Sequence, residues 1–153
     1  KEVKKRAWLH SERDAQVDLK EWDSDWEEYA AQINKWNPSE VLVCAYSWGG
    51  GFGMPQLTKR LVAPVTCVVC DPVYRSPTVL GRWWALLNRS IKVPKNVTVT
   101  RWLMQEGGVL DGDPLKGGKS ICKPEILDYK HTEIDNSPEY RRAVITTAQQ
   151  FLG

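Results

Sequence analysis

The chain has 153 residues, which is the usual size of one domain and is enough to bury a substantial core. Its formal net charge is +2, with acidic and basic residues mixed along the chain, so charge gives no reason to expect a nucleic-acid partner. No apolar run approaches the roughly 20 residues of a membrane-spanning helix. We therefore expect a single domain over residues 1–153 without a transmembrane segment.

The four cysteines predict thiols rather than disulfides. Cys44, Cys67 and Cys70 lie in apolar, strand-like runs and are expected to pack as small buried hydrophobes. Cys67 and Cys70 have the spacing of a dithiol motif, but side chains three positions apart on a strand point to opposite faces. With two histidines and no cluster of ligand residues, we expect no metal and no cofactor. Reduced cysteines favour a cytoplasmic location.

The first half of the chain predicts strands and helices in alternation. A strand is expected over residues 3–10, and a helix over residues 18–36, where apolar side chains recur every three or four positions. Asn37 and the proline after it end this helix. The apolar run Val41–Tyr46 predicts a strand that is buried on both faces, and a helix is expected over residues 52–61.

The second half continues the alternation. Strands are predicted at residues 65–70, 97–104 and 126–129. An irregular segment over 73–94, with a short helix near 83–88, and a long loop over 105–124 connect them. Ser137 is expected to cap a last helix over 138–151, with a proline as its first residue. Together these elements predict an α/β fold, a mostly parallel sheet flanked by helices on both faces.

The stretch Ala45-Tyr46-Ser47-Trp48-Gly49 places a serine between a buried strand and a helix. Ala45 and Gly49 are small, as expected where strand and helix nearly touch. This stretch resembles the nucleophile elbow of the α/β-hydrolase superfamily, G-x-S-x-G, with Ala in place of the first Gly. The resemblance implies that Ser47 is a nucleophile, and the Trp48 amide, at the start of the helix, is positioned to stabilise an oxyanion.

A serine nucleophile needs a base beside it, and the chain has only His10 and His131. His131 follows the last predicted strand, and the order Ser, acid, His is that of α/β-hydrolases, so we favour His131. Ser47, Asp71 and His131 each come directly after a predicted strand. Because the carboxyl ends of parallel strands lie at one edge of a sheet, these three residues are expected to meet there.

The acid has more than one candidate. Cys70-Asp71-Pro72 resembles the pancreatic-lipase branch, in which the acid ends the earlier strand and precedes a proline. Asp111 and Asp113 lie in the loop after the next strand, where most α/β-hydrolases carry their acid. We favour Asp71 and keep Asp111 and Asp113 as alternatives, which a solvated Asp-Gly-Asp-Pro turn would equally explain. Residues 131–135 resemble the histidine region of small lipase-like hydrolases of phage and bacterial origin.

The resemblance implies a compact or truncated α/β-hydrolase of esterase or lipase type, which cleaves small-molecule or lipid esters through a Ser-His-Asp triad and an acyl-enzyme intermediate. Two alternatives stay open: a thioesterase or acyltransferase on the same fold, and a catalytically silent binding scaffold. An apolar substrate pocket is predicted from four aromatic residues, for which ordinary core packing is the alternative. They are Tyr46, Tyr74, Trp83 and Trp84.

The second oxyanion donor is not evident in the sequence. In the α/β-hydrolase pattern it comes from a loop after an earlier strand, often marked His-Gly, and no such motif occurs between Lys1 and Asp18. Three explanations stay open. An N-terminal strand and its oxyanion loop precede Lys1, or Ser11 or Glu12 supplies the amide, or the oxyanion hole is incomplete.

Overall fold

The computed structural model of the protein describes residues 8–10, 14–74, 90–106 and 111–153. Its strands are β1 (Trp8–His10), β2 (Asp14–Gln16), β3 (Val41–Tyr46), β4 (Val65–Cys70), β5 (Ile91–Val93), β6 (Val97–Gln105), β7 (Leu115–Gly117), β8 (Ser120–Ile121) and β9 (Glu125–Leu127). Its α-helices are α1 (Trp26–Trp36), α2 (Met54–Thr58), α3 (His131–Ile134) and α4 (Pro138–Leu152). A π-helical turn, Gly49–Gly53, leads into α2.

A parallel sheet of five strands forms the centre of the fold. β3 pairs with β4 and β4 with β6, all in the same direction. Beyond β6, the sheet is continued by β8 beside its first half and by β9 beside its second half. β1 and β2 form a separate antiparallel pair, and β5 pairs with β7.

Strand β4 shows why helices cover both faces of this sheet. Its side chains alternate: Val65, Cys67 and Val69 belong to a hydrophobic cluster with residues of α1 and α2. Val68 and Cys70 point the other way, into a second cluster with residues of α3 and α4. The predicted α/β architecture, with a mostly parallel sheet between helices, is confirmed.

Strand β6 contains a β-bulge at Thr100. In the pairing with β4, Cys67 lies opposite Val99 and Val68 lies opposite Arg101, so Thr100 is the extra residue. The bulge changes which positions face the first cluster, from Val97 and Val99 before it to Trp102 and Met104 after it. Leu103 consequently faces the second cluster. The second half of β6 is thereby set in register with the end of β4.

The helix ends follow the capping chemistry of the sequence, with one correction. The predicted helix over 18–36 begins at Trp26 instead, because the Asp25 side chain accepts hydrogen bonds from the amides of Glu27 and Glu28. Asn37 ends it in the left-handed conformation, with φ +51°. The Ser137 cap of the last helix is confirmed, with Oγ accepting from the Tyr140 amide at 3.1 Å.

Some predicted connections contain strands. β5 lies in the segment predicted as irregular, and β7 and β8 lie in the predicted long loop. These strands have two or three residues each, too few to give a periodic pattern. The predicted short helix near residues 83–88 lies outside the described residues. Within the described ranges, no helix is long and apolar enough to cross a membrane.

The cysteines are free thiols, but only part of their predicted burial is confirmed. Cys67 and Cys70 are fully buried in the central strand β4. Cys44 is exposed, contrary to the prediction. It lies on β3, which in the described residues pairs with β4 alone and so borders the sheet. An apolar run therefore does not guarantee burial at such a position.

The glycines after Ser47 allow the helix to lie directly on the chain that follows β4. A Cβ on Gly50 would be 2.9 Å from Pro72 Cβ, and one on Gly51 would be 1.8 Å from the Val73 carbonyl oxygen. Gly49 behaves differently, because a Cβ there would meet no atom within 4 Å. The prediction that Gly49 must be small was therefore wrong, and the close approach lies one and two residues later.

This contact predicts opposite results for two neighbouring substitutions. Gly51→Ala should lower the free energy of unfolding by about 3 kcal/mol or more, because its methyl group would overlap backbone atoms. Gly49→Ala, the matched control, should leave stability unchanged or raise it by up to about 1 kcal/mol, since alanine favours helical conformation. Urea unfolding of the two variants measures the difference, and equal stabilities would contradict the proposed contact.

Candidate active site

Ser47 lies at the turn between β3 and the following helical segment. Its φ of +50° is in the left-handed region, which costs a non-glycine residue about 1–3 kcal/mol. The surrounding structure holds this conformation, because the Ser47 carbonyl accepts a hydrogen bond from the Val73 amide at 3.0 Å. The turn is thus bonded to the segment that follows β4.

Three side chains from three separate segments of the chain form one continuous chain of hydrogen bonds. Ser47 Oγ lies 2.8 Å from His131 Nε2, and His131 Nδ1 lies 2.5 Å from Asp71 Oδ2. The Asp71 side chain is fully buried, and that of His131 is 13 % exposed. The predicted meeting of these three residues at one edge of the sheet is observed.

The donor and the acceptor in each of these two hydrogen bonds follow from the chemistry of the groups. An ionised carboxylate only accepts hydrogen bonds, so Asp71 places the imidazole proton on Nδ1. Nε2 then presents its lone pair to the Ser47 hydroxyl, which donates. In this arrangement His131 can take the hydroxyl proton, and the imidazolium that results would lie against the carboxylate.

Asp71 is held by the strand beside it. Its φ is +40°, its amide donates to the Leu103 carbonyl at 2.7 Å, and its Oδ1 accepts from the Gln105 amide at 3.3 Å. Gly112 covers the same carboxylate, because a Cβ there would lie 2.4 Å from Oδ1. The second half of β6 and the loop after it therefore fix the position of Asp71.

His131 begins the short helix α3 and is contacted by Tyr46. The two rings are stacked, with centroids 5.2 Å apart and an interplanar angle of 28°. The Tyr46 hydroxyl also donates a hydrogen bond to the His131 backbone carbonyl. Burial, together with the nearby Asp135 and Asp71 carboxylates, raises the pKa of Tyr46 to about 12. The phenol therefore stays a donor at ordinary pH.

The aspartates kept as alternatives for the acid have other partners. Asp113 is buried, its amide donates to the Pro72 carbonyl at 2.6 Å, and its Oδ2 accepts from the Tyr74 amide at 2.7 Å. Asp111 Oδ1 accepts from the Gln105 side chain at 3.2 Å. Of the three candidates, Asp71 is the one hydrogen-bonded to His131.

Trp48 follows Ser47 and is 40 % exposed. Its indole meets Trp22 edge to face, with centroids 5.4 Å apart, and Trp22 meets Phe52 in the same way at 6.0 Å. Its amide lies at the start of the helical segment, where the sequence predicted an oxyanion donor. Ser11 and Glu12, considered for the second donor, lie outside the described residues.

The predicted pocket aromatics lie in different surroundings. Tyr46 contacts His131, as above. Tyr74 is half-buried and packs against the first hydrophobic cluster. Trp83 and Trp84 lie outside the described residues, and so does the side chain of His10, whose backbone belongs to β1. The assignment of these aromatics to a substrate pocket stays a prediction.

The part of the chain that the structure describes contains no group of three or more His, Cys, Asp or Glu side chains that could hold a metal ion. Comparison of the chain with known protein families, curated proteins and solved structures found no match. The arrangement at the sheet edge must therefore be interpreted from its own chemistry.

The sequence analysis did not predict the residues that hold His131 and Asp71 in position. The Tyr46 contact could have been anticipated, because alternation along β3 places Tyr46 on the face covered by α3 and α4. The Gln105 amide and the cover by Gly112 had no such signal. They depend on the bulge in β6 and on the position of Gly112 beside Asp71.

The cover over Asp71 is tested by Gly112→Ala. The new methyl group would displace the Asp71 carboxylate and weaken its hydrogen bonds, so we expect a loss of about 1–3 kcal/mol in unfolding free energy. The His131 Nδ1 proton, which we expect to resonate far downfield because of its hydrogen bond to Asp71, should shift or lose its signal in this variant. Gly49→Ala, whose new methyl group would meet no atom within 4 Å, serves as the control for adding a methyl group at a glycine. Unchanged stability together with an unchanged resonance would exclude this contact.

Proposed function

We propose that this protein is a serine hydrolase of carboxylic esters that acts through Ser47, His131 and Asp71. The observation that carries the proposal is the continuous line from Ser47 Oγ to His131 Nε2, at 2.8 Å, and from His131 Nδ1 to Asp71 Oδ2, at 2.5 Å. The left-handed turn at Ser47 between strand and helix supports it, because that is the geometry of a nucleophile elbow. The proposal includes membership of the α/β-hydrolase superfamily.

In the first half of the reaction, Ser47 Oγ attacks the ester carbonyl carbon while His131 Nε2 takes the hydroxyl proton. Asp71 keeps the imidazole in the required tautomer and stabilises the cation. The Trp48 amide donates to the oxyanion of the tetrahedral intermediate. His131 then gives its proton to the departing alkoxide, and the acyl group remains on Ser47.

In the second half, water attacks the acyl-enzyme with His131 again as general base. The carboxylic acid leaves, and Ser47 recovers its proton. A thioester substrate, or an acyl acceptor other than water, would react by the same steps. Ser47, His131 and Asp71 therefore support acyl transfer as the reaction class. Carboxylic esters are the substrate class we propose.

Ser47 is tested with a fluorophosphonate probe and p-nitrophenyl esters. The intact protein should become labelled at Ser47 and should hydrolyse short esters, and Ser47→Ala should abolish labelling and reduce turnover by about 10³-fold or more. Ser39→Ala changes an exposed serine ahead of β3 and should behave like wild type. A protein that neither labels nor hydrolyses any ester in an acyl-chain panel would end the hydrolase proposal.

The choice of acid is tested by comparing Asp71→Asn with Asp111→Asn. Asparagine at position 71 can favour the wrong imidazole tautomer, so kcat should fall by about 10⁴-fold. Asp111→Asn keeps an oxygen acceptor for the Gln105 side chain and should retain nearly full activity. Thermal unfolding checks that both variants are folded. Loss of activity in the Asp111 variant alone would transfer the role to that residue.

A further inference from the structure

Tyr46 contacts His131 at two separate points. Its ring lies against the imidazole, with 5.2 Å between centroids and 28° between planes. Its hydroxyl donates to the backbone carbonyl of the same residue. One side chain therefore constrains both the plane of the imidazole and the backbone that carries it.

His131 has few constraints of its own. It is the first residue of α3, a helix of four residues that cannot be stable in isolation. Ile134, at the other end of α3, is fully buried in the second cluster and anchors that end. At the His131 end, the described side-chain contacts are those with Ser47, Asp71 and Tyr46. Of these, Tyr46 alone bonds to the backbone of His131.

We infer that Tyr46 is a positioning residue, which holds the His131 imidazole in line between Ser47 and Asp71. The inference rests on the proposed function and adds to it the means by which the base is aligned. A hydroxyl that remains protonated suits this role, since it donates to the carbonyl throughout the pH range of ester hydrolysis. Because Tyr46 directly precedes Ser47, nucleophile and base are connected through one residue of β3.

The alignment also has an energetic reason. A base must lie within hydrogen-bond reach of the proton it removes, and small displacements of a reacting group are costly in rate. The stacked ring limits rotation of the imidazole, and the bond to the carbonyl limits movement of the start of α3. Loss of either constraint should slow proton transfer while leaving substrate binding unchanged.

The test compares Tyr46→Phe with Tyr46→Leu. Phenylalanine keeps the stacked ring and removes the hydroxyl, whereas leucine removes both. Tyr140→Phe is the matched control, because Tyr140 is a half-buried tyrosine packed against the same second cluster. For each variant, the kcat and KM for a p-nitrophenyl ester, the rate of fluorophosphonate labelling and the NMR signals of the His131 ring protons are measured. His131→Gln identifies those signals, since the only other histidine is His10.

For Tyr46→Phe we expect kcat and the labelling rate to fall about tenfold, with KM unchanged, as for loss of one hydrogen bond. For Tyr46→Leu we expect a fall of about a hundredfold. The His131 ring protons, shifted upfield by the stacked ring in wild type and Tyr46→Phe, should move downfield in Tyr46→Leu. Tyr140→Phe should match wild type in every measurement.

Either of two kinetic results would overturn the inference. If folded Tyr46→Phe and Tyr46→Leu proteins label and turn over like wild type, Tyr46 does not position the base. If KM rises while kcat and the labelling rate stay constant, Tyr46 belongs to the substrate pocket instead.

A wild-type protein without labelling or hydrolysis would refute the ester-hydrolase proposal itself. In that case unchanged ring-proton shifts in Tyr46→Leu would still refute the stacking, and a downfield shift would support it.

Discussion

The arrangement of the candidate site depends on direct contact between the helical segment after Ser47 and the chain after Asp71. Gly50 and Gly51 bring the two backbones together, and the hydrogen bond from the Val73 amide to the Ser47 carbonyl joins them. Two residues with left-handed φ, Ser47 and Asp71, therefore lie on neighbouring strand ends that cannot shift independently. The distance between nucleophile and acid is set by backbone packing, before any side chain is considered.

The acid is fixed by a second layer of backbone contacts. Asp71 is bonded through its amide to Leu103 and through its carboxylate to the Gln105 amide, and Gly112 leaves no space beside it. A fully buried carboxylate is costly unless it is well bonded. Here its hydrogen bonds include the one with His131, so the geometry that satisfies Asp71 also orients the imidazole. Stability and alignment thus depend on the same bonds.

Much of this could be predicted from sequence, and the successes share a cause. β3 and β4 were predicted with their observed bounds because their apolar runs are long and end in polar residues. Ser47, Asp71 and His131 were predicted to meet because a parallel sheet places all its strand ends on one edge. Local chemistry also predicted the Ser137 cap, although the first helix begins at Trp26, after its Asp25 cap, instead of near residue 18.

The failures have a common cause as well. The short strands β5, β7 and β8 exist because of partners distant in sequence, which a local pattern does not report. The need for glycine was assigned to Gly49, but the neighbouring chain approaches Gly50 and Gly51, and only the folded arrangement reveals that difference. The cover of Asp71 by Gly112 is likewise a contact between two loops.

The bulge at Thr100 divides β6 into two parts. Odd-numbered residues face the first hydrophobic cluster before the bulge, and even-numbered residues face it afterwards. The second part carries Leu103 and Gln105, which hold Asp71, whereas the first part packs the core and pairs with β8. Deleting Thr100 would remove the bulge and leave the residues on both sides facing as they do now, because Thr100 is the one residue without a partner in β4. Length changes after Arg101 would rotate the residues beside the acid. Evolutionary insertions and deletions in this strand should therefore be tolerated at the bulge, and excluded both before it, where Val97 and Val99 are buried, and after Arg101.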